Sequence, residues 1–307
     1  MQVTVVGAGI AGVACARALT TAGVTVRVLE RAHVCGGRMA TESYGGRRAD
    51  TGAGYFTVSS PEFAAVVEGW RAAGLAREWT DTFAVRSRDG WSTTTGPVRW
   101  AAAGGLRSLV RQLAEGLDVR TGWEVGHVDP GPRVDGVAAD AVVLAMPGPQ
   151  AVRLLDPALA ETARAAGAQV WLPSLVATLR YPERTWDFRG AFVNDHPVLA
   201  TLLDDGSRRG DGSPVLVAHT TAGFAERFDA EAAGAGIDAA VRELLGLPAA
   251  LRVDVVRWAF ARPDGPGAAP FHFGRERIGL AGDAWGSPKV ETAWLSGTRL
   301  AAAVLGG

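Results

Sequence analysis

The stretch that decides the fold is residues 28–41, VLERAHVCGGRMAT. An apolar strand runs up to a single carboxylate, Glu30, and a double glycine with an arginine, Gly36-Gly37-Arg38, follows six residues later. A carboxylate at a strand end can bind ribose hydroxyls, and an arginine beside glycines can bind phosphate through a forked, permanently charged group. Together they predict a site for a large ligand that carries ribose and phosphates.

The segment before this stretch predicts a strand–helix–strand unit. Residues 2–6, QVTVV, are β-branched and strand-like, residues 10–22 have helical spacing, and residues 24–29, VTVRVL, form a second strand. Such a unit implies a parallel sheet with a right-handed crossover.

Residues 7–12, GAGIAG, connect the first strand to the helix and match the motif G-x-G-x-x-G, 18 residues before Glu30. In this context Gly7 permits a tight turn, Gly9 admits a pyrophosphate and Gly12 lets the helix pack on the strand. The helix N-terminus attracts the phosphates. Glu30 would bind both hydroxyls of an adenosine ribose and repel a 2′-phosphate, which excludes NADP from this position.

FAD and NAD share this motif, and the residues after Glu30 discriminate between them. NAD-dependent dehydrogenases usually continue straight into the next crossover, whereas here RAHVCGGRMAT follows. Arg38 would bind pyrophosphate and the glycines would let the backbone pass near the cofactor. The pattern favours FAD.

With its βαβ unit, the pattern E-R-x-x-x-x-GGRMAT resembles the flavin amine-oxidase-like flavoproteins, and among them the renalases and their bacterial relatives. The resemblance extends along the chain through the following stretches: ADTGAGYFT (49–57), GWEVGHV (122–128), AVVLAMPGPQA (141–151), RWAFARP (257–263) and GLAGDAWGSPKVETAWLSG (279–297). It implies a two-domain FAD-dependent oxidoreductase.

The resemblance also implies which residues hold the cofactor. They are Gly7, Gly9, Ile10, Ala11, Gly12, Glu30, Arg31, Gly37, Arg38, Gly52, Ala53, Gly54, Tyr55, Val125, Gly282, Asp283 and Val290. Residues 52–55 would run beside the flavin ring, the backbone at Val125 would contact the adenine, and Asp283 or the nearby backbone would hold the ribityl or phosphate portion. No cysteine lies near the last segment, so we expect noncovalent FAD.

The C-terminal segment predicts a helix over about 289–305, with Ser287 as N-cap and Pro288 as its first residue. By the resemblance, this helix N-terminus would point at the pyrimidine end of the flavin. A helix end favours a nearby negative charge, as on a reduced flavin, by roughly 0.3–1 kcal/mol when exposed and up to ~2 kcal/mol when partly buried.

The predicted fold class is α/β: a Rossmann-type FAD-binding domain with a parallel sheet, and a second α+β substrate domain with an antiparallel sheet. The FAD-binding domain would comprise residues 1–80, 99–168 and 263–307, and the substrate domain residues 81–98 and 169–262. Within them we expect a glycine-rich loop region over 36–54, a helix over 61–79 and two short strands around 82–95. We also expect a strand over 118–128 and a continuous apolar strand over 139–149.

Four side chains are candidates for the substrate pocket: Trp258, Phe260, His272 and Trp285. For each of them plain packing is the alternative. No acid–base constellation is evident. None is needed if the donor becomes aromatic on losing hydride, as the dihydronicotinamide isomers used by renalase-type enzymes do.

The resemblance implies hydride transfer to FAD and reoxidation by oxygen with hydrogen peroxide as product. The lysine that many amine oxidases place near flavin N5 has no counterpart, because Lys289 is the only lysine in the sequence. Two alternatives stay open: a biosynthetic amine oxidase or desaturase on the same scaffold, and a non-catalytic protein that senses FAD or NAD.

Composition indicates which classes of binding partner are not expected. The net charge is −1 and no basic run carries interleaved aromatics, so nucleic acid is not expected. No apolar run reaches the roughly 18 residues of a membrane span, and the five histidines show no metal-ligand spacing. Two cysteines, Cys15 and Cys35, are too few for a disulfide framework, and a cytoplasmic location is expected. The oligomeric state is not predicted.

Overall fold

The predicted strand–helix–strand unit is confirmed in the computed structural model, which describes all residues, Met1–Gly307. The strands are β1 (Gln2–Val6), β2 (Thr25–Glu30), β3 (Thr41–Tyr44), β4 (Arg47–Asp50), β5 (Arg77–Ser87), β6 (Gly90–Ala101), β7 (Asp118–Thr121), β8 (Val128–Asp129), β9 (Arg133–Val134), β10 (Val137–Ala138), β11 (Ala141–Leu144), β12 (Trp171–Arg180), β13 (Gly190–Val193), β14 (Leu199–Asp204), β15 (Val215–Thr220), β16 (Arg252–Pro263), β17 (His272–Phe273) and β18 (Ile278–Leu280). The helices are α1 (Ile10–Thr21), α2 (Pro61–Ala72), α3 (Leu106–Leu113), α4 (Gly148–Leu154), α5 (Ala160–Gly167), α6 (Asp205–Arg209), α7 (Ala222–Arg227), α8 (Ala230–Leu245) and α9 (Val290–Gly306).

The chain divides into two units, of which unit 1 comprises Met1–Arg38, Leu109–Trp171 and Arg262–Gly307. Its main sheet has six strands in the order β17-β18-β11-β1-β2-β7. All neighbours pair in parallel except the edge strand β17, which is antiparallel to β18. Every residue of β11 is buried, as expected for a strand covered on both faces of a parallel sheet. The Rossmann-type fold is therefore confirmed.

Unit 2 comprises Met39–Ser108 and Leu172–Ala261. Its seven-stranded sheet has the order β16-β12-β15-β14-β13-β5-β6. The pairs β12–β15, β15–β14, β14–β13 and β5–β6 are antiparallel, and β13 and β5 run parallel. One face packs on α7 and α8, and the other carries an aromatic cluster that includes Trp79, Phe83 and Trp258. The expected antiparallel second sheet is confirmed, with one parallel pair that the sequence did not indicate.

The predicted helix over 61–79 is too long. Helix α2 ends at Ala72, and Gly74 adopts a left-handed φ of +70°, which stops the helix. The chain then enters β5 at Arg77. The two short strands expected around 82–95 are instead a long antiparallel pair, β5 and β6.

Two other predicted segments also differ. The glycine-rich loop assigned to residues 36–54 contains the hairpin β3–β4. The strand expected over 118–128 ends at Thr121, because Gly122 has a φ of +70° and turns the chain.

The division into two units differs from the predicted segment limits chiefly at residues 39–80. These residues group with unit 2, where the backbone of Phe56 pairs with Trp100 and its ring lies against Phe63 and Trp70. Assigning the units to cofactor and substrate binding stays a prediction.

Candidate functional site

The turn between β1 and α1 is built so that only glycine fits. Gly7 has a φ of +105°, and a Cβ atom there would lie 2.6 Å from the carbonyl oxygen of Ala145. A Cβ atom on Gly12 would lie 2.0 Å from the carbonyl oxygen of Gly7. The helix therefore starts directly against the sheet, at the carboxyl end of the central strand, where ligands bind in such folds.

Helix α1 begins without a side-chain cap and without an acidic residue in its first turn. Its N-cap residue is Gly9. The first residues, Ile10 and Ala11, are buried. The amide groups of a first helical turn have no partner within the helix, so this end is a positive site suited to phosphate oxygens.

Glu30 closes the same edge of the sheet. Its side chain is buried, and one carboxylate oxygen accepts the amide of Ala8 at 2.7 Å while the other accepts the amide of Ala32 at 2.8 Å. The carboxylate is fixed by the backbone on both oxygens and retains lone pairs for ribose hydroxyls. The neighbouring Arg31 is exposed.

The double glycine passes directly against the α1 turn. The amide of Gly36 donates to the carbonyl of Ala8 at 3.0 Å, and Gly36 forms a parallel bridge with Gly9. Gly37 has a φ of +53°, and a Cβ atom there would lie 3.1 Å from the Cα of Gly9. Because glycine has no side chain, the double-glycine segment and the α1 turn can approach each other closely beside the helix N-terminus.

Arg38 and Asp283 were predicted to hold different parts of the cofactor, and the structure pairs them with each other. The two guanidinium nitrogens donate to the two carboxylate oxygens at 2.7 and 2.6 Å. The Arg38 guanidinium also lies 5.0 Å from the ring centre of Trp171, a cation–π distance. The pair joins the double-glycine segment to the turn after β18.

Val125 does not lie in a strand, so the predicted strand conformation over residues 122–127 is wrong. The amide of Trp123 donates to the carbonyl of Glu30 at 2.9 Å, and Val125 belongs to the same buried cluster as Leu29. The contact of its backbone with adenine stays a prediction.

The final segment starts its helix later than predicted. Lys289 is the N-cap, with extended φ and ψ of −150° and 161°, and α9 begins at Val290. Ser287 is therefore not the N-cap. Its carbonyl instead accepts the hydroxyl of Thr292 at 2.5 Å. Glu291 is buried in the first turn, so a protein carboxylate already stands at the helix end that was expected to favour negative charge on a flavin.

Two of the four pocket candidates, His272 and Trp285, stack on each other in unit 1. Their ring centres are 6.4 Å apart with planes inclined by 26°. His272 Nε2 is buried without a hydrogen-bond partner, and burial lowers the pKa of this imidazole despite the opposing charges of Glu161 and Glu276. The imidazole is thus disposed to be neutral.

The remaining candidates belong to unit 2. The indole of Trp258 donates to the carbonyl of Thr51 at 2.6 Å, so its polar end holds the segment that includes residues 52–55. Tyr55 packs edge-on against Phe83, with ring centres 5.4 Å apart. Phe260 is partly buried on the same strand as Trp258. Trp258 therefore has a structural partner that sequence reasoning did not foresee.

One residue that sequence reasoning missed is His219 on β15. His219 lies two residues after Val217 on the strand, so their side chains are on the same face of the sheet. Val217 belongs to the aromatic cluster on that face, which includes Trp258. His219 Nε2 is buried without a partner, and burial, with a smaller contribution from the charge of Arg208, lowers the pKa of this imidazole to about 4. In the sequence His219 is a single histidine in an apolar strand, which carries no functional signal.

Comparison with known families decides the assignment of this chain. A family described as flavin containing amine oxidoreductase matches residues 65–305. The chain belongs to this family. A second match, to an NAD(P)-binding Rossmann-like domain, covers residues 5–70 and includes the α1 turn, Glu30 and Arg38.

Solved structures agree with this fold for a flavin amine oxidoreductase. A putrescine oxidase variant from a study of cofactor-binding redesign aligns with a TM-score of 0.80 at 19% identity, over 100% of this chain and 99% of the other. A putative protoporphyrinogen oxidase from Exiguobacterium sp. 255-15 gives 0.79 at 14% identity, with coverages of 100% and 99%. Cyclohexylamine oxidase from Brevibacterium oxydans IH-35A gives 0.79 at 16%, with coverages of 99% and 98%. These identities show a shared fold.

The cofactor of this flavin amine oxidoreductase is FAD. The residues of unit 1 fit it on their own terms: the N-terminus of α1 is uncapped, a fixed carboxylate stands at the end of β2, and glycines clear the backbone between them. This is the donor and acceptor set that a dinucleotide requires.

His127 Nε2 lies 3.2 Å from Asp129 and 3.5 Å from Asp156, a grouping of potential metal ligands that the sequence did not indicate because Asp156 is distant in the chain. None of the helices is long and apolar enough to span a membrane.

Proposed function

We propose that this flavin amine oxidoreductase is a renalase-like oxidase whose substrate is a small planar hydride donor such as a dihydronicotinamide isomer. FAD, when bound, would supply the acceptor for a hydride from the donor, which would leave as an aromatic cation, and oxygen would take up the two electrons with protons as hydrogen peroxide. The cofactor is proposed to be noncovalent.

In this proposal the residues of unit 1 orient FAD. The first turn of α1 binds the pyrophosphate, Glu30 holds the adenosine ribose, and Arg38, fixed by Asp283, presents its guanidinium to the phosphates. Residues 52–55 are proposed to contact the flavin ring, as the resemblance implies. Trp258 and Trp285 are each candidates to offer a flat surface to a planar donor.

The observation that carries the proposal is the location of the only lysine. Lys289 is exposed at the N-cap of α9, so no buried lysine is available to act near a flavin ring as in many amine oxidases. The imidazole of His219 is buried and neutral, which makes it a hydrogen-bonding group. A donor that becomes aromatic on losing hydride needs no catalytic base, so hydrogen bonding to the donor is sufficient.

Amine oxidation is the second candidate function. The family itself and the fold shared with putrescine oxidase and cyclohexylamine oxidase favour it. A desaturase on this scaffold and a non-catalytic FAD or NAD sensor are weaker alternatives, since nothing particular in the structure favours them.

An anaerobic reduction screen separates these functions. The purified, yellow protein is mixed without oxygen with dihydronicotinamide isomers and, separately, with a panel of amines, and flavin absorbance is followed. We expect bleaching by one or more dihydronicotinamide isomers and peroxide formation after air is admitted. Bleaching by amines alone would contradict the renalase-like assignment, and a colourless protein that cannot take up FAD would leave only the NAD sensor.

A further inference from the structure

Unit 2 contains a buried charge cluster, formed by Asp50, Asp205, Arg208 and Arg209. Both carboxylates and the Arg208 side chain are fully buried, and Arg209 is 8% exposed. Arg208 Nη2 and Nε donate to Asp205 Oδ1 at 2.5 and 3.2 Å. Charges so deeply buried are retained only when each is paired and hydrogen-bonded.

Asp205 is the principal counter-ion of Arg208. Burial by itself raises the pKa of Asp205, but the adjacent guanidinium groups of Arg208, Arg209 and Arg47 hold this pKa below its usual value. Burial raises the pKa of Asp50, whose Oδ2 has no hydrogen-bond partner. Arg208 is thus held in place chiefly by its hydrogen bonds to Asp205, which lies in the same helix, α6.

From this position Arg208 reaches the backbone of another segment. Its Nη1 donates to the carbonyl of Gly54 at 2.6 Å, and its Nη2 lies 3.4 Å from the carbonyl of Asp50. Trp258 holds the intervening carbonyl of Thr51 at 2.6 Å. Two side chains distant in sequence therefore fix three carbonyls of one short segment.

The fit around Gly54 is close. A Cβ atom there would lie 2.1 Å from Leu203 Cδ1 and 3.0 Å from Arg208 Nη1. The segment thus lies directly on β14 and on the guanidinium group. The planar guanidinium group of Arg208 can donate to the carboxylate of Asp205 and to the carbonyl of Gly54 at the same time. The ammonium group of a lysine cannot reproduce this geometry.

We propose that Arg208 is a positioning residue that fixes the backbone of residues 50–54, and with it the loop that contacts the flavin. The second half of this statement rests on the proposed function, because it takes residues 52–55 as the flavin-side loop. The first half concerns unit 2 alone and is tested without cofactor.

The test compares Arg208→Lys with Arg209→Lys. Both keep a buried cation beside Asp50 and Asp205, but the backbone acceptor of Arg209 is Ala103, outside the loop. Hydrogen exchange is measured on FAD-free protein at the amide of Thr51, inside the fixed segment, and at the amide of Phe56, just after it; they donate to the carbonyls of Ala40 and Trp100. We expect exchange about tenfold faster in Arg208→Lys, as for loss of a buried charged hydrogen bond, and near wild type in Arg209→Lys.

The flavin spectrum of the FAD-loaded variants provides the second readout. A displaced loop should shift the visible absorption and midpoint potential in Arg208→Lys and leave both unchanged in Arg209→Lys. Equal exchange in the two variants would overturn the positioning role, while faster exchange with an unchanged spectrum would overturn the flavin-directed half. Protein that binds no FAD would refute the proposed function, yet the exchange result would still decide the role of Arg208.

If Arg208→Lys does not fold, Asp205→Asn carries the same measurement. This substitution keeps Arg208 but replaces the carboxylate that accepts its hydrogen bonds with a neutral amide. Faster exchange at Thr51 and Phe56 is expected, and unchanged exchange would contradict the proposal.

Discussion

Arg38 and Asp283 form a forked ion pair, with parallel hydrogen bonds of 2.7 and 2.6 Å between residues 245 positions apart in the chain. Both are partly shielded from solvent, with 27% and 15% of their side-chain surfaces exposed. The carboxylate leaves the guanidinium fixed in direction, so Arg38 is oriented before a ligand arrives. Asp283 thus orients Arg38, while its own contact with FAD stays a prediction.

This pairing predicts the behaviour of Arg38→Met. We expect FAD affinity to fall about 10- to 100-fold, because one or two charge-assisted hydrogen bonds are lost, each typically contributing about 1.5–3 kcal/mol before solvent screening. Fluorescence titration of the FAD-free protein measures the dissociation constant. The control is Arg133→Met, which removes an exposed arginine of unit 1 that is not among the predicted cofactor residues and should change affinity little. Equal losses in the two variants would show that net charge, and not orientation, governs binding.

Glu30→Gln tests the carboxylate at the end of β2. Both oxygens now accept backbone amides, and an amide NH₂ group facing Ala8 or Ala32 would leave one buried donor without a partner. The expected cost is about 1–3 kcal/mol in the free energy of unfolding, together with weaker FAD binding. Urea denaturation of the FAD-free protein measures the first. Glu124→Gln, at an exposed position, should leave stability unchanged. A loss of FAD affinity without loss of stability would mean that the backbone contacts contribute little.

Gly297→Ala tests the contact between the first and last helices of unit 1. A Cβ atom at this position would lie 2.0 Å from the carbonyl oxygen of Ala11, in the first turn of α1. The helices must separate, at an expected cost of about 1–3 kcal/mol. Gly306→Ala, in the same helix with nothing within 4 Å, serves as the control and should be neutral or slightly stabilising. Thermal unfolding of both variants gives the comparison, and similar melting temperatures would contradict the close approach.

His219 predicts a pH dependence of stability. Its pKa is lowered by burial from 6.5 to about 4 in the folded protein, so below pH 6.5 the unfolded state takes up a proton that the folded state excludes. Stability should therefore fall as the pH drops from about 6.5 to about 4, by up to about 3 kcal/mol from this residue, and should not change through this residue above pH 6.5.

His219→Gln removes the titrating group and should flatten that part of the profile. Unfolding free energies from denaturant titrations at several pH values make the comparison, with His33→Gln, at an exposed histidine, as the control. An unchanged slope in His219→Gln would show that the imidazole titrates normally.

The local features of unit 1 were predictable because they depend on neighbours in sequence. The turn glycines, Glu30 and the apolar strand β11 follow a pattern set by backbone geometry and by the periodicity of buried positions. The errors at element ends have local causes as well. Gly74 and Gly122 ended a helix and a strand earlier than expected, and a glycine alone does not reveal whether it will adopt a left-handed conformation.

The contacts between distant segments were not predictable from one sequence. Nothing in the residues around Arg38 indicates Asp283 as its partner, and nothing around Trp258 indicates the carbonyl of Thr51. The same holds for Arg208, whose sequence context reads as an ordinary charged loop. Such pairings arise from tertiary packing, so the cofactor motif was predicted while the side chains that support it were not.

The discontinuity of unit 1 has a consequence for how the protein is made. Strand β18 and helix α9 come from the last segment of the chain, yet β18 pairs with β11 and α9 lies on α1. During synthesis, the sheet of unit 1 therefore cannot be completed before residues 272–306 have been made. A chain that stops before this segment would lack the strands β17 and β18 and the helix that lies on α1.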